Sequence, residues 1–326
     1  MSEPFFSVVM PVYNGGRYVR RALESLEGQR GFDGGFEVIA ADDASTDDSR
    51  AILDSFAGRL PLRIIGGACK GNWVASTNKA LGGCRGRFVC FLHQDDAFAP
   101  DKFARVKAAA EANPGVPLVT HAIGYIGPKG ENLGGFFQPF AAGRHNAAYI
   151  LPRLLAQNVV MVPGTAFARQ ALEKIGPLDE GLRYTADWDF WLRLALAGDV
   201  LHLRGTLAFF RIHPDSQTVG FAEKQAEYAE NLRRVVDRFA PAADNLLSPR
   251  AARRCRAVAE LGIQANVFLS SRGTGGSAPW TPVLKAAAGA GLVGSMQYLL
   301  RSHVVARSLA RIHAGIHGKR SRRQDA

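Results

Sequence analysis

The chain has 326 residues, 47% hydrophobic and 21% charged, a composition that buries a sizeable core and excludes wholesale disorder. Its length suits one large domain or two ordinary ones. The net charge of +11 is uneven, because Arg301, Arg307, Arg311, Lys319, Arg320, Arg322 and Arg323 stand against Asp325 alone after residue 300; a nucleic-acid-binding reading would rest on that tail only.

In chain order, Met1 to Phe6 contains Glu3 and no long apolar run, so no signal peptide is expected. Phe6–Val12 is a Val-rich apolar run that predicts a buried strand, broken by Gly15 and Gly16. Helical spacing follows over Tyr18–Leu26, with Tyr18, Val19, Ala22, Leu23 and Leu26 on one side. Phe36–Ala41 predicts a second strand, and Ser45 and Thr46 are candidate caps for a helix through Phe56. Leu62–Ile65, a helix over Trp73–Leu81, Phe88–Leu92 and a helix from Pro100 through Ala112 continue the alternation. Strand and helix at such short intervals predict an α/β fold, a mostly parallel sheet covered by helices on both faces.

Pro117 to Phe210 adds strands, Gly-rich turns over Gly127–Gly135, and helical pieces at Ala147–Leu155 and Trp188–Leu196. Beyond about Gly220, Phe221–Phe239 and Ala251–Leu269 predict charged amphipathic helices, and a Gly/Ser linker spans Ser270–Ser277. Ala286–Leu300 is uncharged but too short and too rich in Gly and Ala to be expected to span a bilayer. Cys69, Cys84, Cys90 and Cys255 form no CxxC pair, which argues against a metal knuckle or disulfide framework and for a reducing compartment.

In parallel sheets, ligands sit beyond the carboxyl ends of the strands. There the second strand ends in Asp42 and Asp43, and the fourth in Gln94, Asp95 and Asp96. Adjacent carboxylates repel, so two such pairs call for a cation or a donor-rich ligand. The alternative is that each pair caps the helix after it.

Three segments carry a resemblance to glycosyltransferase family 2: Val9-Met10-Pro11-Val12-Tyr13-Asn14, Asp42-Asp43-Ala44-Ser45-Thr46-Asp47 and Phe91-Leu92-His93-Gln94-Asp95-Asp96. Two later segments are similar in the same order, Asp187-Trp188-Asp189-Phe190-Trp191-Leu192-Arg193 and Phe210-Arg211-Ile212-His213-Pro214-Asp215-Ser216. The resemblance covers about residues 5 to 220. It implies a GT-A (Rossmann-like) fold with a glycosyltransferase domain over 1–220, its nucleotide-sugar half at about 1–115 and acceptor half at about 116–220, and a helical C-terminal extension over 221–326.

By the same resemblance, Pro11 and Tyr13 contact the donor base, Asp43 accepts a hydrogen bond from base or ribose, and Asp42 orients it or caps. Asp95 matches the carboxylate that holds Mn2+ or Mg2+ across the donor diphosphate, and Asp96 binds metal or sugar hydroxyls. His93 stands where the family often has an acid; an imidazole is a softer ligand without negative charge, so either His93 replaces a sugar or ribose contact, or the metal is held by fewer protein ligands, or His93 is a structural histidine. Asn78 fits a donor-binding segment in which Thr77 replaces the usual Arg; Lys70 could compensate. Asp187 matches the catalytic base, with Ala186 in place of the usual preceding acid and Asp189 as competitor. Trp188 or Trp191 could stack on a sugar, Arg211 supply charge to phosphate, and His213 approach the diphosphate or metal. One base suffices for a single inverting displacement.

The expectation is therefore a metal-dependent, inverting transferase that takes a UDP- or dTDP-type sugar to a hydroxyl of a growing glycan or lipid-linked saccharide. The basic, amphipathic stretch Arg301–Arg323 would suit an anionic membrane surface, or it is a solvated helix and frayed basic tail; the expected location is the cytoplasm, with the inner face of the membrane as a peripheral site. No nucleic-acid partner is expected. The rivals are a sugar-nucleotide nucleotidyltransferase, which would want a Gly- and Lys/Arg-rich loop where Tyr13-Asn14-Gly15-Gly16-Arg17 stands, a basic binding protein acting through its tail, and a non-catalytic family member.

Overall fold

The computed structural model describes residues 3–67, 71–136, 138–213, 225–272 and 278–302. They form two compact units: Met1–Gly124 with Phe140–Ala147 and Val160–Phe210, and Tyr125–Pro139 with Ala148–Val159 and Arg211–Ala326.

The first unit is built on a twisted α/β sheet. Its early elements are β1 (Phe6–Val12), α1 (Val19–Glu27), β2 (Phe36–Asp42), α2 (Ser49–Phe56), β3 (Leu62–Gly66), α3 (Trp73–Leu81), β4 (Phe88–Phe91), β5 (Ala97–Phe98) and α4 (Lys102–Ala112). After β6 (Leu118–Ile126) come β8 (Gly143–His145), β9 (Thr165–Ala168), α6 (Arg169–Ile175), α7 (Ala186–Ala197) and β10 (Val200–Arg211), with β7 (Asn132–Phe136) and α5 (Ala147–Ala156) falling largely in the second unit. The strand order is β3-β2-β1-β4-β9-β6-β10-β5. Pairings β1–β2, β2–β3 and β1–β4 are parallel, whereas β4–β9, β6–β9, β10–β5 and β10–β8 are antiparallel. The expected α/β fold is present, and its parallel character resides in the first four strands; the whole sheet is mixed.

Every residue of β1 is buried, as a central strand covered on both faces requires. Val19, Ala22, Leu23 and Leu26 are the buried face of α1, matching the periodicity. One boundary moves for a physical reason. The helix expected from Ser45 or Thr46 starts at Ser49, because the Ser45 hydroxyl accepts from the Asn14 amide at 3.0 Å and the Thr46 amide donates to Asn14 Oδ1 at 2.8 Å. The candidate caps tie the β2 loop to the β1 loop instead.

The second unit holds three long helices, α8 (Gln225–Leu246), α9 (Pro249–Arg272) and α10 (Thr281–Arg301). Ala156 of α5, Val258, Leu261 and Ala265 of α9 and Tyr298 of α10 form one of its apolar clusters, with Val283, Ala286, Ala287 and Ala290 against them. Pro282 sits in the first turn of α10, and Gly291 breaks its helical geometry with φ +68°. The stretch expected to be too short to span a bilayer is thus part of a 21-residue helix with a mean hydropathy of 1.2 over its best window, long and apolar enough to cross a membrane by length and composition. Only 17% of that window is buried. Most of the Arg301–Arg323 stretch, with Lys70, Cys69 and Pro214–Ser216, lies outside the described residues.

Candidate active site

Because β1, β2 and β4 run parallel with β1 in the middle, their carboxyl ends share one edge of the sheet. Two strand spacings, about 10 Å, separate the backbones leaving β2 and β4. The two acidic pairs therefore flank the loop after β1.

That loop is fastened on both sides. Gln94 Oε1 accepts from the Tyr13 amide at 2.8 Å, and Gln94 Nε2 donates to the Tyr13 carbonyl at 3.1 Å. A Cβ on Gly15 would lie 2.3 Å from Gln94 Oε1, so the glycine makes room for this side chain. On the other side Asp47 accepts from the Gly16 amide at 2.9 Å and from the Ser49 hydroxyl. Burial works against the charge of Asp47, yet those hydrogen bonds hold its carboxyl below its ordinary value. Asn14 (φ 48°) and Ala44 (φ 57°) occupy the left-handed region, strained conformations concentrated at this edge. Pro11 is buried, whereas Tyr13 is 48% exposed, its ring beside Gly71.

Asp42 is buried and accepts from the Ser45 amide at 3.2 Å, a turn-capping role. Asp43 is buried too, and its Oδ2 accepts from the Gly71 amide at 2.6 Å.

After β4 the chain makes a tight turn, with the Asp96 amide donating to the His93 carbonyl at 3.1 Å. The turn gathers its side chains. A ring nitrogen of His93 and carboxylate oxygens of Asp95 and Asp96 lie within 4.8 Å of one another. Asp96 is 1% exposed, Asp95 and His93 half-buried. His93 packs edge-on against Trp73, with ring centroids 5.4 Å apart, and Trp73 is held by its indole N–H donating to the Arg183 carbonyl at 2.8 Å. Burial holds the His93 imidazole below its ordinary pKa, with Asp95 pulling the other way. Nε2 of His93 is buried with no hydrogen-bond partner among the described residues. One nitrogen and two carboxylate oxygens at this separation fit a divalent cation.

Lys102 lies fully buried in the same unit, a residue that its position in a charged-looking helix start does not reveal. Its ammonium donates to the carbonyls of Pro163 at 2.6 Å and Thr165 at 3.3 Å and sits 3.7 Å from the Phe98 ring centroid. Burial lowers its pKa to about 8 while Cys90 and Asp96 oppose the shift.

Asn78 is engaged within the protein. Its amide nitrogen donates to the Leu178 carbonyl at 2.9 Å and to Glu180 at 3.0 Å, and its oxygen accepts from the Leu178 amide at 3.0 Å. Asn72, absent from the expected site, caps α3 by accepting from the Val74 and Ala75 amides.

In the first turn of α7, Asp187 is half-buried and Asp189 fully buried. Asp189 pairs with Arg193 at 2.7 Å, and Arg193 also donates to the carbonyls of Ile175, Gly176 and Pro177. The competitor for the base is thus a structural ion pair. Of the two rings considered for stacking on a sugar, Trp188 is 2% exposed and Trp191 is wholly buried, so both pack in the core and neither presents an open face.

Arg211 and His213 belong to the second unit. Arg211 is 2% exposed, and its guanidinium donates to the Gly127 carbonyl at 2.7 Å. His213 is likewise buried.

Residues 7–176 match the model of glycosyl transferase family 2. An uncharacterized glycosyltransferase of Rickettsia typhi is 26% identical over 71% of this chain and 70% of its own length. The O-antigen biosynthesis protein RfbC of Myxococcus xanthus is 27% identical over 60% of this chain and 15% of its own. Among solved structures, residues 1–349 of S. aureus TarS in complex with UDP-GlcNAc share the fold at a TM-score of 0.67 and 18% identity, over 95% of this chain and 89% of that one; this chain spans 54% of the longer TarS structure. The mannosyltransferase PcManGT of Pyrobaculum calidifontis, in complex with GDP-Man and Mn2+, aligns at a TM-score of 0.56 and 16% identity over 96% of this chain and 88% of that one. With the family model matching just over half of its length on the GT-A fold, the chain belongs to glycosyl transferase family 2 and is a glycosyltransferase.

Proposed function

We propose that the protein moves a sugar from a UDP- or dTDP-type donor to a hydroxyl of a growing glycan or lipid-linked saccharide, in polysaccharide or cell-envelope glycan biosynthesis. The observation that carries this is the turn that groups His93, Asp95 and Asp96 within 4.8 Å at the strand edge where Tyr13 is exposed. The open Tyr13 ring stacks on the donor base above the buried Pro11. Asp43, positioned through Gly71 and with Asp42 securing its turn, accepts from base or ribose. Asn78 fastens α3 to the loop before α7, which positions both sides of the donor site.

Asp95, with Asp96 beside it, would hold Mn2+ or Mg2+, which when bound would offset the charge of the leaving diphosphate. Asp187, the half-buried acid of α7, takes the proton of the acceptor hydroxyl as that oxygen attacks the anomeric carbon. With Asp189 engaged by Arg193, a single base remains, which favours one inverting displacement.

The relatives support parts of this reading: UDP-GlcNAc in TarS favours a uridine donor, GDP-Man with Mn2+ in PcManGT favours a divalent cation and keeps guanosine donors in the screen, and RfbC favours a glycan product. Titration calorimetry with UDP-, dTDP- and GDP-sugars, with and without Mn2+, tests it. Asp95→Asn should lose metal-dependent donor binding; unchanged affinity in that variant overturns the cation assignment.

Peripheral contact with the inner face of the membrane belongs to the same proposal. It is supported by the basic residues after Arg301 and by the exposed Leu284, Leu292, Val293, Met296, Leu299 and Leu300 on α10. Cys84, Cys90 and Cys255 are free thiols, as a cytoplasmic setting favours.

A further inference from the structure

We propose that His93 is a nitrogen ligand to the cation at the donor site, and that it sets the site's preference for Mn2+ over Mg2+. The inference rests on reading the 93–96 turn as the cation site of a sugar-nucleotide donor.

Three observations converge on His93. A ring nitrogen lies within 4.8 Å of ligand oxygens of both Asp95 and Asp96, close enough for all three to reach one ion. The ring is held in place, by the turn hydrogen bond from the Asp96 amide to its own carbonyl and by the edge of Trp73. Its Nε2 is buried and has no hydrogen-bond partner among the described residues. A buried polar atom left without a partner is costly, so its retention beside two carboxylates calls for a ligand that satisfies it. A cation bound at Nε2 would satisfy it.

The chemistry of the set then selects the ion. Mg2+ demands near-ideal octahedral oxygen ligation and sheds water reluctantly. Imidazole suits transition ions, and two carboxylates keep the site hard enough for Mn2+. A third acid in place of His93 would add a negative charge and an oxygen, and Mg2+ would gain most. The set of one imidazole and two carboxylates therefore discriminates between the ions through ligand type, with the charge of the site held at two carboxylates.

Electron spin-echo spectroscopy of Mn2+ bound to the full chain with UDP tests this without reference to turnover. The wild-type protein should show phosphorus coupling from the diphosphate and nitrogen coupling from a coordinated imidazole. His93→Asp should keep the phosphorus signal, lose the nitrogen signal, and lower the ratio of Mn2+ to Mg2+ affinity about ten-fold by calorimetry. Should His93→Asp fail to fold, His93→Gln serves as the second variant, and the wild-type spectrum decides by itself. Phosphorus coupling without nitrogen coupling overturns the role of His93 and leaves the donor-site reading standing. A nitrogen signal that survives substitution of His93 comes from another histidine and overturns the proposal. Absence of bound Mn2+ with and without UDP overturns both.

Discussion

Asp187 and Asp189 sit two residues apart on one helical turn, in different surroundings. Asp189 is fully buried and neutralised by Arg193, which in turn ties down the carbonyls of Ile175, Gly176 and Pro177. Removing one partner of a buried pair leaves an uncompensated charge, so Asp189→Ala should lower stability by roughly 3 kcal/mol, seen in the urea midpoint. Asp187→Asn should leave donor binding and stability unchanged while turnover falls about 10²- to 10⁴-fold, measured by nucleotide release. Full turnover in that variant would remove Asp187 from the proposed chemistry. His202 gives the pH dependence at this scale. It is buried, its Nδ1 lies 3.0 Å from the Thr120 hydroxyl, and burial lowers its pKa to about 4, with His145 adding to the effect. Between that value and its ordinary 6.5 the unfolded chain binds more protons than the folded one. Stability contributed by neutral His202 is therefore intact above about pH 6.5 and falls by roughly 3 kcal/mol as pH drops to about 4. The difference in urea midpoint between wild type and His202→Gln should flatten above pH 6.5 and change through that window; a difference independent of pH would contradict it.

At the scale of elements, loops at the strand edge are ordered by side chains whose neighbours are remote in sequence. Gln94 holds Tyr13 by two backbone hydrogen bonds, 81 residues apart along the chain. Gly15→Ala would press its Cβ against the flexible end of Gln94 and loosen that grip. We expect a loss of UDP-sugar affinity of about ten-fold from poorer preorganisation, with the melting temperature little changed. Gly262→Ala is the contrasting case. Its Cβ would lie 2.1 Å from the Ala156 carbonyl oxygen, and backbone cannot swing aside, so α9 must shift from α5. The cost should be about 2 kcal/mol, read as a lower unfolding midpoint with nucleotide affinity preserved. Much of the element pattern was legible beforehand: the buried face of α1 follows from apolar spacing, which is a local property. The start of α2 was not, because Ser45 and Thr46 bond to Asn14, a partner that only the fold brings near.

For the whole molecule, charge and exposed apolar surface point to the same end of the chain. Leu292 is 82% exposed on α10, and seven basic residues lie from Arg301 onward. Apolar burial at a bilayer surface and attraction to anionic headgroups reinforce each other. The full chain should co-float with vesicles rich in phosphatidylglycerol and not with neutral phosphatidylcholine vesicles. The double variant Leu292→Asp, Leu300→Asp should lose flotation without loss of donor binding. Salt-insensitive flotation, or none, would argue against the membrane contact.

Local patterns sufficed for the alternation of strand and helix, for the acidic pairs at strand ends and for the family to which the first three motifs point, because spacing, polarity and residue identity are carried by neighbours in sequence. The strand order that sets β1 between β2 and β4, the turn that brings His93 to Asp95 and Asp96, the pairing of Asp189 with Arg193, and the burial of Trp188 and Lys102 were decided by tertiary structure. Each depends on contacts or solvent exclusion contributed by segments far apart in the chain, which no local pattern encodes.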